Sequence, residues 1–142
     1  MIEFRKCHPE HILLVQAQLS QRSEYASNLG SVIGTAANHG VSYSGWVNHR
    51  CVGAAGLFPI WRKAVAWAIL SNACAPHMRA ITRKALKVIP AQGFERIEAM
   101  VLCDFAPGHR WARMLGFVME AERMRRYDPD GRDMALYAWV RE

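Results

Sequence analysis

The stretch AVAWAILSNACAPHMRAITRKALKVIPAQGFERIEAMVL, residues 64–102, decides the fold of this chain. It opens with the continuous apolar run Ala64–Leu70, which is typical of a central buried strand. His77–Gln92 then places apolar side chains on one helical face and basic side chains on the other. Arg96–Leu102 predicts a second strand. Two strands joined through a helix predict a right-handed β-α-β crossover with parallel strands.

The segments on either side predict further helices and antiparallel strands. Ahead of the crossover we expect a strand at Ile2–Arg5, helices at Pro9–Leu19 and Ser23–Asn38, and a hairpin of Val41–Val47 with Cys51–Leu57 that Pro59 ends. After it we expect a helix at Pro107–Leu115 and a hairpin of Phe117–Tyr127 with Arg132–Val140. Residues 1–142 are therefore predicted to form a single α+β domain, with a mixed, mostly antiparallel sheet and helices on both faces.

Composition excludes several classes of protein. The chain has 142 residues, of which 51% are hydrophobic and 21% charged, values typical of a globular domain. Its apolar runs are too short to cross a bilayer, and Met1–Lys6 lacks the pattern of a secretory signal, so we expect a cytoplasmic protein with no membrane partner. The net charge of +6 favours anionic partners such as a phosphorylated cofactor. Acidic residues interrupt the basic ones, which makes nucleic acid an unlikely partner.

Cysteine and histidine spacing does not predict a metal site. The four cysteines lie at positions 7, 51, 74 and 103, too far apart for a zinc knuckle or a redox pair. His8 and His11 lie three residues apart, with no matching carboxylate. We therefore expect free, buried thiols and no bound metal.

The junction Arg110–Phe117, with the sequence RWARMLGF, and the hairpin that follows carry a resemblance. Gly116 can adopt the left-handed conformation that ends a helix, and Phe117 then enters the sheet. Together with the strand order and the length, these features resemble the GNAT family of N-acetyltransferases over almost the whole chain. The resemblance implies the GNAT fold and transfer of an acetyl group from acetyl-CoA to an amine.

The resemblance also implies where the cofactor binds. GNAT proteins hold the pyrophosphate on a glycine-rich loop that opens a helix, and the corresponding segment here begins at Ser71. It departs from the family pattern, because residues 71–80 contain no glycine and Pro76 lacks an N–H group. The residues expected to bind acetyl-CoA are Ile69, Leu70, Ser71, Ala75, His77, Met78, Arg79 and Trp111.

Catalysis departs from the family pattern as well. Many family members have a tyrosine acid four residues before the LGF glycine, where this chain has Ala112. The candidate catalytic residues are therefore Glu98 on a strand, Asp104 at a strand end, and Tyr127. The alternatives are a surface strand residue for Glu98, a helix N-cap for Asp104 and an ordinary sheet residue for Tyr127.

Two functions remain open from the sequence. We favour an acetyl-CoA-dependent N-acetyltransferase with an unidentified amine acceptor. GNAT proteins are often dimers, so the resemblance also implies a homodimer. The alternative is a catalytically inactive GNAT-like binding or assembly protein with a protein partner. The chain is similar in length and closing hairpin to short GNAT-like proteins of tailed phages, one of them a virion or morphogenesis protein, and this would place it in the host cytoplasm or the virion.

Two structural features separate these functions. A sheet that opens between the strands at 64–70 and 96–102, and a loop at 71–79 with unpaired N–H groups, favour the enzyme. A closed sheet, and a loop filled by side chains such as His77 or Met78, favour the binding protein.

Overall fold

The computed structural model describes residues 1–15 and 39–142, and seven strands and three α-helices lie within them. The strands are β1 Glu3–Lys6, β2 Val41–Val47, β3 Arg50–Ile60, β4 Lys63–Leu70, β5 Arg96–Leu102, β6 Val118–Met124 and β7 Met134–Val140. The helices are α1 Pro9–Leu14, α2 Met78–Ala91 and α3 Ala106–Met114, and a 3-10 helix spans Asn72–His77. The helix expected at Ser23–Asn38, and residues 16–19 of the first expected helix, lie outside the described residues.

The strands form one sheet in the order β1-β2-β3-β4-β5-β7-β6. Five of its neighbouring pairs are antiparallel, and only β4 and β5 run parallel, as the crossover predicts. The α+β class and the mostly antiparallel sheet are therefore confirmed. Among the described helices, none is both long and apolar enough to span a bilayer.

Helices cover both faces of the sheet. On one face, Ile12 of α1 packs with Cys7, Cys51 and Ile69 in a buried cluster. On the other face, α2 and α3 cover two further clusters, one around Tyr137. Burial of these apolar side chains is the main force that holds the helices on the sheet.

The junction before β6 has the predicted form. Gly116 has φ +90° and its N–H donates to Arg113 O over 3.0 Å, while the Phe117 N–H donates to Ala112 O over 3.0 Å. Phe117 is buried among the side chains under α3. The left-handed glycine thus ends the helix and turns the chain into the sheet.

The prediction that Pro59 ends the second strand is wrong. β3 continues to Ile60, and Pro59 pairs with Ala64 of β4. Pairing with β2 stops at Val41 and Leu57, so no β2 carbonyl needs an N–H group at Pro59.

Three other predicted boundaries also differ. Residues 72–77 form a 3-10 helix rather than a loop, and α2 begins at Met78 instead of His77. The last hairpin is shorter than expected, because the loop between β6 and β7 is held by side chains. The Asp133 carboxylate accepts the Arg126 N–H over 2.9 Å, and the Asp128 carboxylate accepts the Arg132 N–H over 2.7 Å.

Ion pairs join β4, β5 and β6 at one end of the sheet. The Glu98 carboxylate lies 2.9 Å from Lys63 Nζ and 2.8 Å from Arg96 Nε. Arg96 also reaches Glu120 of β6 at 2.6 Å. Hydrogen bonds first from Lys63 and then from Arg96 hold the pKa of Glu98 below its usual range. The charged form of Glu98 therefore stabilises the fold.

A stability profile against pH tests this ion pair. Because the folded-state pKa is lowered, the stabilisation is present above the unfolded pKa of about 4.3 and is lost as the pH falls through the folded value. Glu98→Gln should lower the free energy of unfolding by roughly 1 kcal/mol near pH 7. The difference from wild type should disappear toward pH 3. Glu95→Gln is the matched control, because Glu95 is exposed and lies 4.0 Å from Arg62; an equal effect of both changes would contradict the assignment.

Two glycines with a left-handed backbone conformation, Gly40 and Gly93, allow a second comparison of matched variants. A Cβ on Gly40, which has φ +77°, would lie 2.3 Å from Leu57 O and 2.7 Å from Pro59 Cδ, whereas a Cβ on Gly93, at φ +78°, meets nothing within 4 Å. Gly93→Ala should cost only the backbone term, about 1 kcal/mol, and Gly40→Ala about 2 kcal/mol more. Urea unfolding followed by tryptophan fluorescence measures both losses. Equal losses would show that the turn at Gly40 relaxes freely.

Candidate active site

The sheet opens between its two central strands. β4 and β5 pair only at Lys63–Arg96, Ala64–Ile97 and Val65–Glu98. Beyond these three pairs, β4 stays paired with β3 to Leu70, and β5 stays paired with β7 to Leu102. The two half-sheets therefore remain intact while a wedge opens between residues 66–70 and residues 99–102. This is the opened sheet that favours the enzyme.

A cavity of about 680 Å³ lies at the wedge, between the sheet and the two helices α2 and α3. Its floor includes small residues, such as Ala55, Ala66, Ala68 and Ala99, beside larger ones, such as Tyr43, Leu57, Leu70 and Val101. Its roof includes Met78, Ile81, Ala85, Val88 and Trp111. The cavity is partly open to solvent, so a ligand can enter it.

The segment after β4 folds back on β3. The Ser71 N–H donates to Val52 O over 3.0 Å, and the Cys74 N–H donates to Ser71 O over 3.0 Å. The fully buried Cys74 thiol donates to Val52 O over 3.1 Å, and burial raises its pKa. Two of the N–H groups expected to be open toward a ligand are thus already paired. This feature favours the binding protein.

The residues predicted to bind the cofactor divide into two groups. Leu70, Ala75, Met78 and Trp111 line the cavity. Ile69 is buried in the cluster under α1, Ser71 is buried against β3, His77 is half-buried, and Arg79 is exposed; none of these four lines the cavity. Contact of any of these residues with a cofactor remains a prediction.

Trp111 connects the two helices above the cavity. Its Nε1–H donates to Thr82 Oγ1 over 2.9 Å, and Thr82 is buried in α2. Trp111 also packs with Met78 against the cluster that contains Leu70 and Ile81. The separation of α2 from α3 is therefore fixed by this bridge.

The candidate catalytic residues lie in different surroundings. Glu98 belongs to the last pair before the wedge, and its carboxylate binds Lys63 and Arg96. It does not line the cavity, and a carboxylate stabilised in its charged form by two cations is a weak base. Tyr127 lies in the loop after β6, is 52% exposed, and lines neither cavity described here.

Asp104 lies at the open end of the wedge. It follows β5, is exposed, and lines a second, polar cavity of about 440 Å³. The two cavities share Leu102 and Phe105 in their walls. Asp104 does not cap α3, because the N-cap residue is Phe105. Within residues 1–15 and 39–142, no hydrogen bond to its carboxylate is formed, so it is the exposed acid beside the wedge.

His109 holds this end of β5 in place. Its Nε2 lies 3.1 Å from Leu102 O and 3.0 Å from Cys103 O, and its Nδ1 lies 2.7 Å from the hydroxyl of buried Tyr137. Two carbonyl acceptors require the proton on Nε2, so Nδ1 accepts from Tyr137. The rim of the wedge is thereby tied to α3 and β7.

Sequence reasoning missed several cavity residues. Lys84 Nζ lies 4.3 Å from the ring centroid of Tyr43 at the β2 end of the cavity, and Asn72 lines it near the end of β4. Trp67 Nε1 is buried and has no hydrogen-bond partner among residues 1–15 and 39–142. No local pattern marks these residues, because their proximity arises from the pairing of distant strands. The described residues contain no group of three or more histidine, cysteine or acidic side chains placed to hold a metal.

Comparison with known proteins places this geometry in a fold. No protein-family model matches the sequence, and no curated protein matches it. Ard1 from Thermoplasma volcanium superposes with a TM-score of 0.79 at 16% identity, over 98% of this chain and 97% of that chain. The ribosomal-protein-S18-alanine N-acetyltransferase from Escherichia coli gives 0.71 at 13% identity, over 99% and 94%. An acetyltransferase of the GNAT family from Streptococcus pneumoniae gives 0.70 at 12% identity, over 100% of both chains. The chain therefore has the GNAT fold, as its resemblance to that family predicts.

Proposed function

We propose that this protein is an N-acetyltransferase that transfers the acetyl group of acetyl-CoA to an amine. The wedge between β4 and β5 carries the proposal, because a packing defect would not leave both half-sheets fully paired on either side of it. The wedge leads into a cavity large enough for a thioester arm. The fold shared with solved acetyltransferases supports the same assignment.

The cavity suits the apolar part of acetyl-CoA. The pyrophosphate must be bound by groups other than the loop N–H groups that GNAT proteins use. Ser71 and Cys74 use their N–H groups within the protein, and Pro76 has none. The first turn of α2 contains no acidic residue, and the exposed Arg79 and half-buried His77 lie at its start. We infer that the positive end of this helix and these two side chains hold the pyrophosphate.

Acetyl-CoA supplies an activated acyl group when it is bound. The acceptor amine arrives largely as an ammonium ion at neutral pH, and it must lose a proton before it can attack. The Asp104 carboxylate, exposed at the mouth of the wedge, attracts this cation and can accept its proton. The wedge holds the amine beside the thioester, and this proximity raises the rate of the reaction.

Titration of acetyl-CoA into the purified protein tests the binding step. We expect a dissociation constant near the micromolar range, weakened about fivefold to tenfold by Arg79→Ala because one phosphate-binding cation is lost. Lys87→Ala is the matched control, since Lys87 is exposed near the other end of α2. An equal loss for both variants would contradict a specific role of Arg79.

Steady-state kinetics test Asp104. With an amine acceptor found by screening, Asp104→Asn should lower kcat at least tenfold near neutral pH and leave the KM for acetyl-CoA within about twofold. Asp130→Asn is the control, because Asp130 is an acid of the β6–β7 loop that does not line the second cavity. An unchanged kcat for Asp104→Asn would remove the residue from the mechanism.

One observation favours the alternative function, a binding or assembly protein. Trp61, at the turn between β3 and β4, is 93% exposed, and the adjacent Arg62 side chain is 88% exposed. Exposed tryptophan and arginine are common anchors of protein interfaces. If acetyl-CoA gives no heat at several hundred micromolar, roughly the weakest binding such a titration resolves, this function replaces the enzymatic one.

A further inference from the structure

The second cavity, which adjoins the wedge, differs from the first in its charged lining. Asp104 follows β5, Arg123 belongs to β6, and Arg132 and Asp133 precede β7. The described part of this lining thus contains two carboxylates and two guanidinium groups, beside the place where the proposed reaction occurs. Such a lining suits a small polar molecule that carries charges of both signs.

Contacts among the three segments fix the shape of this cavity. The Cys103 N–H donates to Asp133 O over 3.1 Å, and the Cys103 thiol donates to Glu122 O over 3.5 Å. The Asp133 carboxylate accepts hydrogen bonds from the Arg126 N–H over 2.9 Å and from Arg123 Nη1 over 2.5 Å. The guanidinium group of Arg123 is therefore held in place from one side.

The other side of this guanidinium group is available to a ligand. Asp133 occupies Nη1 of Arg123, whereas Nε and Nη2 donate to no other group within residues 1–15 and 39–142. The Nε–H and one Nη2–H point in the same direction, which is the arrangement that binds both oxygens of one carboxylate. The side chain is exposed, so a dissolved carboxylate can reach it.

Asp104 supplies the opposite charge nearby. The hydrogen bond to Asp133 raises the pKa of Arg123 most, and smaller electrostatic effects of Cys103 and Asp104 add to it. Arg123 and Asp104 are therefore close enough to act on one small molecule. Arg132 is less available than Arg123, because its Nε already donates to the Asp128 carboxylate over 2.6 Å.

We propose that the amine acceptor is a free amino acid, with its carboxylate on Nε and Nη2 of Arg123 and its amine at Asp104. The inference rests on the proposed function and names the substrate class of that site. The amine then faces the wedge, because the two cavities share Leu102 and Phe105. A simple amine lacks the group that Arg123 would bind, and so does a peptide N-terminus.

The proposed reaction balances with these groups. The ammonium group gives one proton to Asp104, the nitrogen forms a bond to the thioester carbon, and the C–S bond breaks. The second proton of the nitrogen passes to the sulfur, so that CoA leaves as the thiol. The product is an N-acetylated amino acid whose carboxylate is unchanged.

Acetyl transfer to matched acceptors tests the substrate class. The release of CoA from acetyl-CoA is measured with a panel of amino acids, with their α-amides and with short peptides that have a free N-terminus. The best amino acid should give a kcat/KM at least about tenfold above that of its amide, because the amide cannot form the charge-assisted pair with Arg123. The amine of the amide is less basic and is more often neutral, so intrinsic reactivity works against this result.

The possible outcomes separate this proposal from the proposed function. Equal or faster acetylation of amides or peptides would overturn the amino-acid proposal and leave acetyl transfer standing. Binding of acetyl-CoA without acetylation of any amino acid would also overturn it. If acetyl-CoA does not bind in the calorimetric titration, the proposed function itself fails.

Variants of Arg123 locate the carboxylate. Arg123→Gln should raise the KM for the best amino acid at least about tenfold, bring its kcat/KM close to that of the amide, and leave the KM for acetyl-CoA within about twofold. Arg125→Gln is the matched control, because it removes the same charge at an exposed position that does not line the second cavity. Arg123→Lys keeps a cation opposite Asp133 and serves as the second variant if circular dichroism shows that Arg123→Gln does not fold. An unchanged preference for the acid over the amide in a folded Arg123 variant would overturn the assignment.

Discussion

Three pairs of residues between β4 and β5 set the geometry on which the site depends. Within the described part of the chain, Lys63–Val65 and Arg96–Glu98 form the only paired section between the two half-sheets, and β4 and β5 diverge beyond it. If the pairing were longer, the wedge would close and the cavity would lose one wall. The short paired section therefore acts as the closed end of the site.

Glu98 shows how this constraint decides the role of a residue. Its carboxylate sits on the last of the three pairs and neutralises two cations from both half-sheets. The same contacts that make it useful there lower its pKa and occupy its lone pairs, which makes it a poor base. Asp104, at the opposite and open end of β5, has the exposure that Glu98 lacks. Two acids near one strand thus have different surroundings because they stand at different ends of the wedge.

The sequence predicts the β-α-β crossover well because each of its parts follows from a local sequence pattern. The apolar run Ala64–Leu70 and the amphipathic helix that follows are periodic patterns, and Gly116 marks a turn that few other residues can make. The site was less predictable. The stretch Gly53–Gly56 belongs to a predicted strand, but its place in the cavity wall arises only when β2, β4 and α2 are placed around it. Likewise, Ser71 was expected to face a ligand, but its N–H is taken by Val52 of a strand distant in sequence.

The loop after β4 has no glycine, but β3 has one, Gly53, directly beneath that loop. A Cβ on Gly53 would lie 2.9 Å from Cys74 Sγ and 3.0 Å from Leu70 Cδ2, so the strand is bare where the loop carries a side chain. The family pattern places glycine on the loop to let a pyrophosphate approach its backbone, whereas here the glycine lies on the strand and lets the loop approach β3. The Cys74 thiol fills the space and binds Val52 O, which turns the loop toward the sheet. A ligand then gains less from the loop's N–H groups. Under the proposed function, a larger share of its binding energy would come from the helix terminus, from cations such as Arg79, and from apolar surface inside the cavity.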